Sequence, residues 1–265
     1  MRISKIHIQN FRKLKNCTLD FGEKQTILVG ANNSGKTSCI QAIVRFLKES
    51  KNFSTRDFTL SNWKSINEIA ESWINDEDSH PSMNDIIDYL PQMDIWIEVE
   101  NKEAYLVKDL IPSLEWEGKT VGVRIVFAPK DVEALYANFK AAYTNAETLK
   151  NENANLEIYP KDLWDYLNRG KLNSEFILRY YILDIKKEPE DCIEAQPLPN
   201  VEFEEGNPLK TIIKVDSVDA ERDFSDPDSN NHVSKNTLSK KLQDYYEKHI
   251  KPKDSQLEKE DIRIL

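Results

Sequence analysis

Gly30-Ala31-Asn32-Asn33-Ser34-Gly35-Lys36-Thr37 is the stretch of sequence that decides the fold. It matches the pattern G-x-x-x-x-G-K-[ST], in which a glycine-rich loop between a strand and a helix cradles phosphate groups. The preceding residues, 25–29, end in an apolar, partly β-branched run, which predicts a buried strand that leads into the loop. The following residues predict a helix with one apolar face, made of Ile40, Ile43, Val44 and Leu47. Phosphate binding requires this order of strand, loop and helix.

The polar residues of the loop have predicted roles in binding a nucleoside triphosphate with Mg²⁺. The N–H groups of the loop and of the first helical turn carry partial positive charge, which attracts a polyphosphate. Lys36 is the predicted catalytic residue, because its ammonium should reach the β- and γ-phosphates, and the Thr37 hydroxyl should bind Mg²⁺. The predicted nucleotide-binding set comprises Gly30, Asn32, Asn33, Ser34, Gly35, Lys36, Thr37 and Ser38. A glycine turn with an incidental lysine is the alternative interpretation.

Composition narrows the class of protein. The chain has 265 residues, enough for one large domain or two small ones, and a net charge of −10. This balance does not favour a protein that wraps nucleic acid, although a local basic face is compatible with it. Cys17, Cys39 and Cys192 show no ligand spacing, so we expect buried or half-buried thiols rather than a disulfide framework or a zinc site. No signal peptide or membrane-spanning run is visible, so we expect a soluble, cytoplasmic protein without a membrane partner.

Hydrophobic periodicity along the rest of the chain predicts an antiparallel sheet with helices. Alternating apolar and polar residues predict strands at 3–8, 17–21, 93–100, 119–128, 176–185 and 210–215. Apolar residues at helical spacing predict helices at 85–90, 131–150, 161–168 and 238–249. The polar stretch 50–92 is predicted to be a partly helical insertion, and the proline-rich stretch 186–208 an exposed loop.

The N-terminal region contains the segment Ile6-His7-Ile8-Gln9-Asn10-Phe11-Arg12, followed by two short predicted strands and the loop with Asn32, Asn33 and Ser34. This arrangement resembles the opening of the ABC-type ATPases of DNA metabolism. That group includes RecF, the SMC proteins and the OLD-family nucleases. Arg56-Asp57-Phe58 and Ala220-Glu221-Arg222-Asp223 resemble the OLD type more closely. The resemblance implies an α/β P-loop NTPase fold of ABC/SMC-like type, with an antiparallel β subdomain and helical insertions, and ATP and Mg²⁺ as cofactors.

The resemblance also implies roles for charged residues outside the loop. Arg12 is expected beside the nucleotide and completes the predicted nucleotide-binding set, with a solvated surface position as an equal alternative. Asp57 could support the site, but a helix cap or a surface acid is the preferred interpretation. Arg222 and Asp223 are expected to form an internal ion pair.

The chain departs from the ABC-type pattern in its second half. A signature segment is absent, and so is a Walker B strand that ends in Asp-Glu. The nearest imitation, 180–184, ends in Asp184 and continues with Ile185, so Asp184 is interpreted as the end of an ordinary strand. A Toprim nuclease site, which needs acidic residues at strand ends for two metal ions, is not visible, and Asp226-Pro227-Asp228 reads as a loop.

We therefore predict the N-terminal part of a larger ATPase with an incomplete C-terminal lobe. Its limits are predicted as 1–224 for the ATPase part and 225–265 for the start of a helical dimerisation segment. The first functional hypothesis is an OLD-like, ATP-dependent DNA nuclease of phage defence, whose isolated N-terminal chain binds ATP but hydrolyses it very slowly. The alternatives are a RecF/SMC-type DNA-repair ATPase without nuclease and a nucleotide-binding partner subunit. Expected partners are a second copy of the chain, DNA through the complete protein, and other defence subunits.

Overall fold

A computed structural model describes residues 1–75, 80–112, 116, 119–152, 159–183, 197–202 and 207–216. Within these residues the strands form one antiparallel sheet in the order β2-β1-β3-β4-β5-β6. The strands are β1 (Arg2–Phe11), β2 (Leu14–Asp20), β3 (Gln92–Glu98), β4 (Thr120–Pro129), β5 (Phe176–Leu183) and β6 (Pro197–Glu202). The α-helices are α1 (Lys36–Leu47), α2 (Asn62–Asn75), α3 (Met83–Ile86), α4 (Val132–Glu152), α5 (Leu163–Tyr166) and α6 (Leu172–Glu175).

Shorter helical segments connect these elements. Four 3-10 segments lie at Ser50–Asn52, Thr55–Asp57, Ile87–Tyr89 and Asn101–Leu110, and a π-helical turn at Leu167–Lys171 joins α5 to α6. Residues 1–215 form one compact unit, which contains the whole sheet. The helices and 3-10 segments between α1 and β3 show that this part of the chain is partly helical. The predicted domain limits stay a prediction.

One face of the sheet is apolar because the apolar residues of adjacent strands are in register. Residues at alternate positions of a strand share a face, so rows of buried side chains run across β1, β3 and β4. Two of these rows are Ile6, Ile95 and Val123, and Ile8, Met93 and Ile125. Ala42 and Phe46 of α1 belong to the same hydrophobic core, which attaches this helix to the sheet.

The opposite face of the sheet carries a buried charged row. His7, Asp94 and Arg124 are in register on β1, β3 and β4. Arg124 donates to both Asp94 oxygens, from Nε at 2.6 Å and from Nη2 at 2.7 Å. His7 Nδ1 lies 3.5 Å from Asp94 Oδ2, and its Nε2 lies 2.8 Å from Asn16 Oδ1. The bidentate pair satisfies a carboxylate that is 1% exposed, which a buried charge requires.

A chain of phenylalanine rings connects α1 with the sheet. The ring centroids of Phe46 and Phe53 are 5.1 Å apart, and Phe53 stacks on Phe127 of β4 at 4.0 Å. Phe127 in turn contacts Phe176 of β5 at 5.4 Å. The separations of 5.1 Å and 5.4 Å are typical of favourable aromatic pairs, and the Phe53–Phe127 pair is stacked more closely, so the core is continuous from α1 to β5.

Most predicted strands and helices are confirmed. The strands predicted at 3–8, 17–21, 93–100, 119–128 and 176–185 correspond to β1 to β5. The helix predicted at 131–150 is α4, and Asp131 caps it, since its Oδ1 accepts from the Ala134 N–H at 3.0 Å. The helix predicted at 161–168 is α5 with its π-helical continuation, and the helix predicted at 85–90 is α3 with the 3-10 turn that follows.

Two predictions near the end of the described chain are wrong. The strand predicted at 210–215 is a turn, because the N–H groups of Ile212 and Ile213 both donate to the Leu209 carbonyl. The stretch 186–208, predicted to be an exposed loop, contains β6, which pairs with β5 in an irregular register. Proline lacks an N–H, and the prolines of β6 are tolerated because the strand lies at the edge of the sheet.

Several predictions concern residues outside those that the structure describes. They are the predictions for Asp184, Cys192, Arg222, Asp223, the Asp226-Pro227-Asp228 loop and the helix at 238–249.

Candidate functional site

The glycines of the predicted phosphate loop are required by the backbone. Gly35 has φ +101°, which side-chain-bearing residues rarely adopt, and a Cβ there would lie 3.0 Å from Leu14 Cδ2. A Cβ at Gly30 would lie 2.8 Å from Ser34 Oγ. The loop therefore closes tightly between two positions that only glycine fits without rearrangement.

The Lys36 ammonium lies across the loop. Its Nζ donates to the carbonyl oxygens of Gly30 at 2.6 Å and of Ala31 at 2.7 Å, and Ser34 Oγ lies 3.4 Å away. Residues 30–34 are exposed, so an anion in solvent can approach this ammonium directly. The arrangement holds a positive charge at the exposed side of the loop, and no carboxylate from the described part of the chain pairs with it.

Helix α1 begins directly after the loop with free N–H groups. Gly35 is its N-cap, no side chain caps the helix, and the first turn contains no acidic residue. The first backbone bond of the helix runs from the Cys39 N–H to the Gly35 carbonyl at 2.9 Å. The amides of the first turn therefore have no intrahelical acceptor and point toward the loop with partial positive charge. Thr37 is exposed in this turn, and Ser38 is buried.

The turn between β1 and β2 adds a second cation to the loop. Lys13 Nζ donates to the Asn33 carbonyl at 2.7 Å and also contacts Asn33 Oδ1. Asn33 has φ +66°, in the left-handed region, so the lysine bonds a strained position of the loop. The contact of Lys13 with the loop was not predicted from the sequence. The signal was its place next to Arg12 at a predicted strand junction.

Arg12 is tied to a buried acid instead of being freely solvated. Its Nε and Nη2 each lie 2.8 Å from Asp57 Oδ1, and its Nη1 contacts Gln41 of α1. Asp57 is fully buried and also accepts from the Ser54 N–H at 2.9 Å and from Ser54 Oγ at 3.2 Å, which forms a capping box. The helix-cap interpretation of Asp57 is confirmed and the surface-acid interpretation is wrong. A position of Arg12 beside a nucleotide stays a prediction.

A basic cavity of about 500 Å³ lies beside this pair. Four cationic side chains, those of Arg12, Lys13, Lys15 and Arg56, contribute to its lining, and none of the described residues that line it is acidic. The remaining lining residues are Phe58, Thr59, Leu60 and Ser61. The hydroxyl of Thr59 is buried and has no hydrogen-bond partner among the described residues. A cavity of this charge suits a phosphate group or another anion.

The strand predicted at 25–29 is wrong. These residues pair with no strand among those that the structure describes, and Ile27 and Val29 are 74% and 89% exposed. The predicted apolar face of α1 is confirmed in part, since Ile43 and Leu47 are half-buried against the core, but the fully buried residues of the helix are Ser38, Cys39, Ala42 and Phe46. Ile40 is 54% exposed. The helix has apolar residues on two sides. The side that is fully buried meets the β1–β2 hairpin and the phenylalanine rings.

Two findings concern metal ions and membranes. Within them, no three His, Cys, Asp or Glu side chains come together as a cation site. A nucleotide-bound Mg²⁺ would take the Thr37 hydroxyl as its ligand from this loop, and an exposed hydroxyl at the start of α1 fits that role. Among the same residues, no helix combines the length and the apolar character needed to cross a bilayer.

Comparisons with known proteins give relatives in DNA metabolism. RecF, the DNA replication and repair protein, of Psychromonas ingrahamii is 42% identical over 55 residues, which are 21% of this chain and 15% of that protein. RecF of Exiguobacterium is 31% identical over 64 residues (24% and 17%), and RecF of Geotalea daltonii is 25% identical over 136 residues (51% and 34%). The chain thus spans about a third or less of the length of the curated relatives it matches.

A solved structure from work on ATP-driven dimerization and DNA-stimulated activation of SMC ATPases is also similar. It is 18% identical with a TM-score of 0.28, and the match covers 48% of this chain and 64% of the solved one. A TM-score this low does not establish that the two chains share a fold. The family model described as an AAA ATPase domain matches residues 1–264, which is nearly the whole sequence. With a P-loop ahead of α1 and strands and helices in one α/β unit, the chain belongs to the AAA ATPase domain family and has an α/β P-loop ATPase fold.

Proposed function

We propose that this chain binds Mg-ATP at residues 30–38. The observation that carries the proposal is the Lys36 ammonium held over an exposed loop at the uncapped start of α1. A triphosphate would replace the loop carbonyls as partners of this ammonium and would accept from the first-turn amides, because both features offer donors without competing acids. Thr37 would hold Mg²⁺, and the buried Ser38 hydroxyl would contact the α-phosphate.

Hydrolysis by the isolated chain is expected to be very slow. Phosphoryl transfer depends on positioning and charge, and a group must also orient the attacking water. Asp57, the acid that contacts Arg12, is not free for that role, because it is buried against this arginine. We therefore propose an ATP-binding ATPase part that needs residues from the rest of the protein, or from a partner, for turnover.

Isothermal titration calorimetry tests the proposed binding. We expect one ATP per chain with Mg²⁺, and a loss of affinity of about a hundredfold or more in Lys36→Ala, because that change removes the charge that contacts the phosphates. Lys64→Ala is the matched control, since Lys64 is an exposed lysine of α2 paired only loosely with Glu68 at 3.8 Å. Equal affinities of the two variants would count against the site.

Two proposals concern the complete protein. The first is an OLD-like, ATP-dependent DNA nuclease of phage defence, based on the residues around Arg56 and Arg222. The second is a RecF/SMC-type repair ATPase without nuclease, and the RecF relatives favour it. The gene sequence after the codon for Leu265 discriminates between them, because a Toprim acidic cluster supports the first and a direct return to Walker B supports the second. ATP-dependent cleavage of plasmid DNA by the full-length protein would decide in favour of the first.

DNA contact is proposed at the basic cavity. Lys15 and Arg56 are exposed there, next to Arg12 and Lys13, and the lining residues that the structure describes include no carboxylate. Each phosphate contact lowers the logarithm of affinity by roughly 0.9 per decade of salt. Fluorescence anisotropy with labelled duplex DNA should therefore give a shallower salt slope for Lys15→Ala and Arg56→Ala than for Lys64→Ala. A salt-independent affinity would argue against this contact.

Self-association is proposed through the predicted helix at 238–249. Sedimentation velocity with and without Mg-ATP tests it, and we expect a larger sedimentation coefficient with nucleotide. A monomer in both conditions would refute the proposal. We further expect a cytoplasmic protein, and association with other defence subunits depends on the first of the two functional proposals.

A further inference from the structure

Two of the three cysteines of the chain lie together beside the phosphate loop. Cys17 Sγ on β2 and Cys39 Sγ on α1 are 3.8 Å apart, and both are free thiols. Cys17 stands opposite Ile8 in the β1–β2 register, so its side chain lies on the apolar face against which α1 packs. We propose that Cys17 and Cys39 form an oxidisable dithiol pair, and that their disulfide weakens nucleotide binding at the adjacent loop. The first half of this inference stands on the thiol geometry, and the second rests on the proposed function.

The pair needs only a small movement to become covalent. A disulfide has an S–S distance of about 2.05 Å, so the sulfurs must approach by roughly 1.8 Å from their observed separation. Cys39 is 5% exposed and Cys17 is half-buried, so Cys17 is the thiol that a small oxidant reaches first. Burial, with a contribution from Cys17, raises the pKa of the Cys39 thiol to about 11, so Cys39 is protonated at neutral pH in the reduced pair.

A hydroperoxide is the oxidant class that this geometry suits. The Cys17 thiolate attacks one peroxide oxygen, the O–O bond breaks, and Cys17 becomes a sulfenic acid as an alcohol or water leaves. Cys39 sulfur then attacks Cys17 sulfur, so the S–S bond forms, the S–O bond breaks, and water leaves with the Cys39 proton. In sum, two thiols and one hydroperoxide give one disulfide, one alcohol or water, and one water. A dithiol reductant reverses the bond by thiol–disulfide exchange.

The disulfide would act on the loop because β2 and its turn already touch the loop. Lys13 bonds Asn33, and the Leu14 side chain lies against Gly35. Cys39 follows directly after Ser38, at the end of the turn whose preceding amides would donate to phosphates. Drawing Cys39 toward β2 therefore displaces these donors. Functional groups work only within about 0.5 Å of their geometry, so we expect the affinity for Mg-ATP to fall about tenfold.

Peptide mapping tests the pair without using nucleotide. The full chain is treated with hydrogen peroxide, blocked with N-ethylmaleimide, digested without reductant and analysed by mass spectrometry. A linked peptide joining Cys17 to Cys39 is expected in the wild type and in Cys192→Ser, but not in Cys17→Ser or Cys39→Ser. Links that run through Cys192, or stable oxidation of Cys17 without a link, would overturn the assignment.

Calorimetry on the same samples tests the consequence. Peroxide should raise the Kd for Mg-ATP about tenfold in the wild type and in Cys192→Ser, dithiothreitol should restore it, and Cys17→Ser should keep its reduced-state affinity. A linked peptide with unchanged affinity refutes the effect on binding, and equal sensitivity of Cys17→Ser does the same. A reduced chain that binds no ATP refutes the proposed function instead, and the peptide map still decides whether the thiols pair.

Discussion

The buried pair between Arg12 and Asp57 allows a quantitative test of what holds the phosphate-loop region together. Arg12→Ala removes two bonds of 2.8 Å to a carboxylate that is fully buried. Asp57 would keep the Ser54 N–H at 2.9 Å and its hydroxyl at 3.2 Å, while Arg45 Nε is 3.9 Å away. Leaving a buried charge without its main partner costs about 3 to 5 kcal/mol, and the remaining donors keep the loss near the lower end, about 3 kcal/mol.

Urea unfolding followed by tryptophan fluorescence measures this loss. With an m value of about 2 to 3 kcal/mol per molar urea, the midpoint should fall by roughly 1 M at unchanged m. Arg2→Ala is the matched control, because Arg2 Nε also lies 2.8 Å from a carboxylate, that of Glu98, but the two side chains are 37% and 45% exposed. An exposed pair contributes less than about 1 kcal/mol. If both variants lose the same stability, burial does not govern the Arg12 pair and the reasoning fails.

Three further predictions concern single positions. Gly35→Ala should lower the free energy of unfolding by about 3 kcal/mol and weaken ATP binding, because it adds a clash to a left-handed backbone. Gly170→Ala is the control, since Gly170 has φ +86° but a Cβ there would meet nothing within 4 Å, and it should lower the free energy of unfolding by about 1 kcal/mol in the same assay. Val29→Ser should change the free energy of unfolding by less than about 0.5 kcal/mol, since Val29 is 89% exposed, and a larger loss would show that this segment is buried. Asp94→Asn should lower the free energy of unfolding by about 2 kcal/mol, because it leaves the mostly buried Arg124 without its counter-charge. The thermal midpoint should therefore fall, and an unchanged midpoint would contradict that assignment.

The sequence predicts the elements whose signals are local. The strands β3 and β4 follow from the apolar residues at alternate positions, and α4 follows from its periodicity and from Asp131 as a cap. The glycine at position 35 is predicted for the same reason, because it meets a local backbone requirement that its φ of +101° confirms.

The errors have a different physical origin, because they depend on partners distant in sequence. Residues 25–29 have strand composition, but a strand also requires neighbours, and none of the described strands pairs with them. Helix α1 has apolar residues on two sides, and only tertiary packing decides that Phe46 is buried while Ile40 is exposed. The Cys17–Cys39 contact joins two elements separated in the chain by the phosphate loop, so spacing alone did not reveal it.

The chain of phenylalanine rings has a consequence for long-range communication. Rings in contact from Phe46 through Phe53 and Phe127 to Phe176 leave α1 no room to shift or rotate independently of β4 and β5. Close-packed interiors transmit displacement instead of absorbing it. A fluorine label on the ring of Phe176, at the opposite end of this stack from the helix that starts at Lys36, would therefore change its NMR frequency when ATP binds.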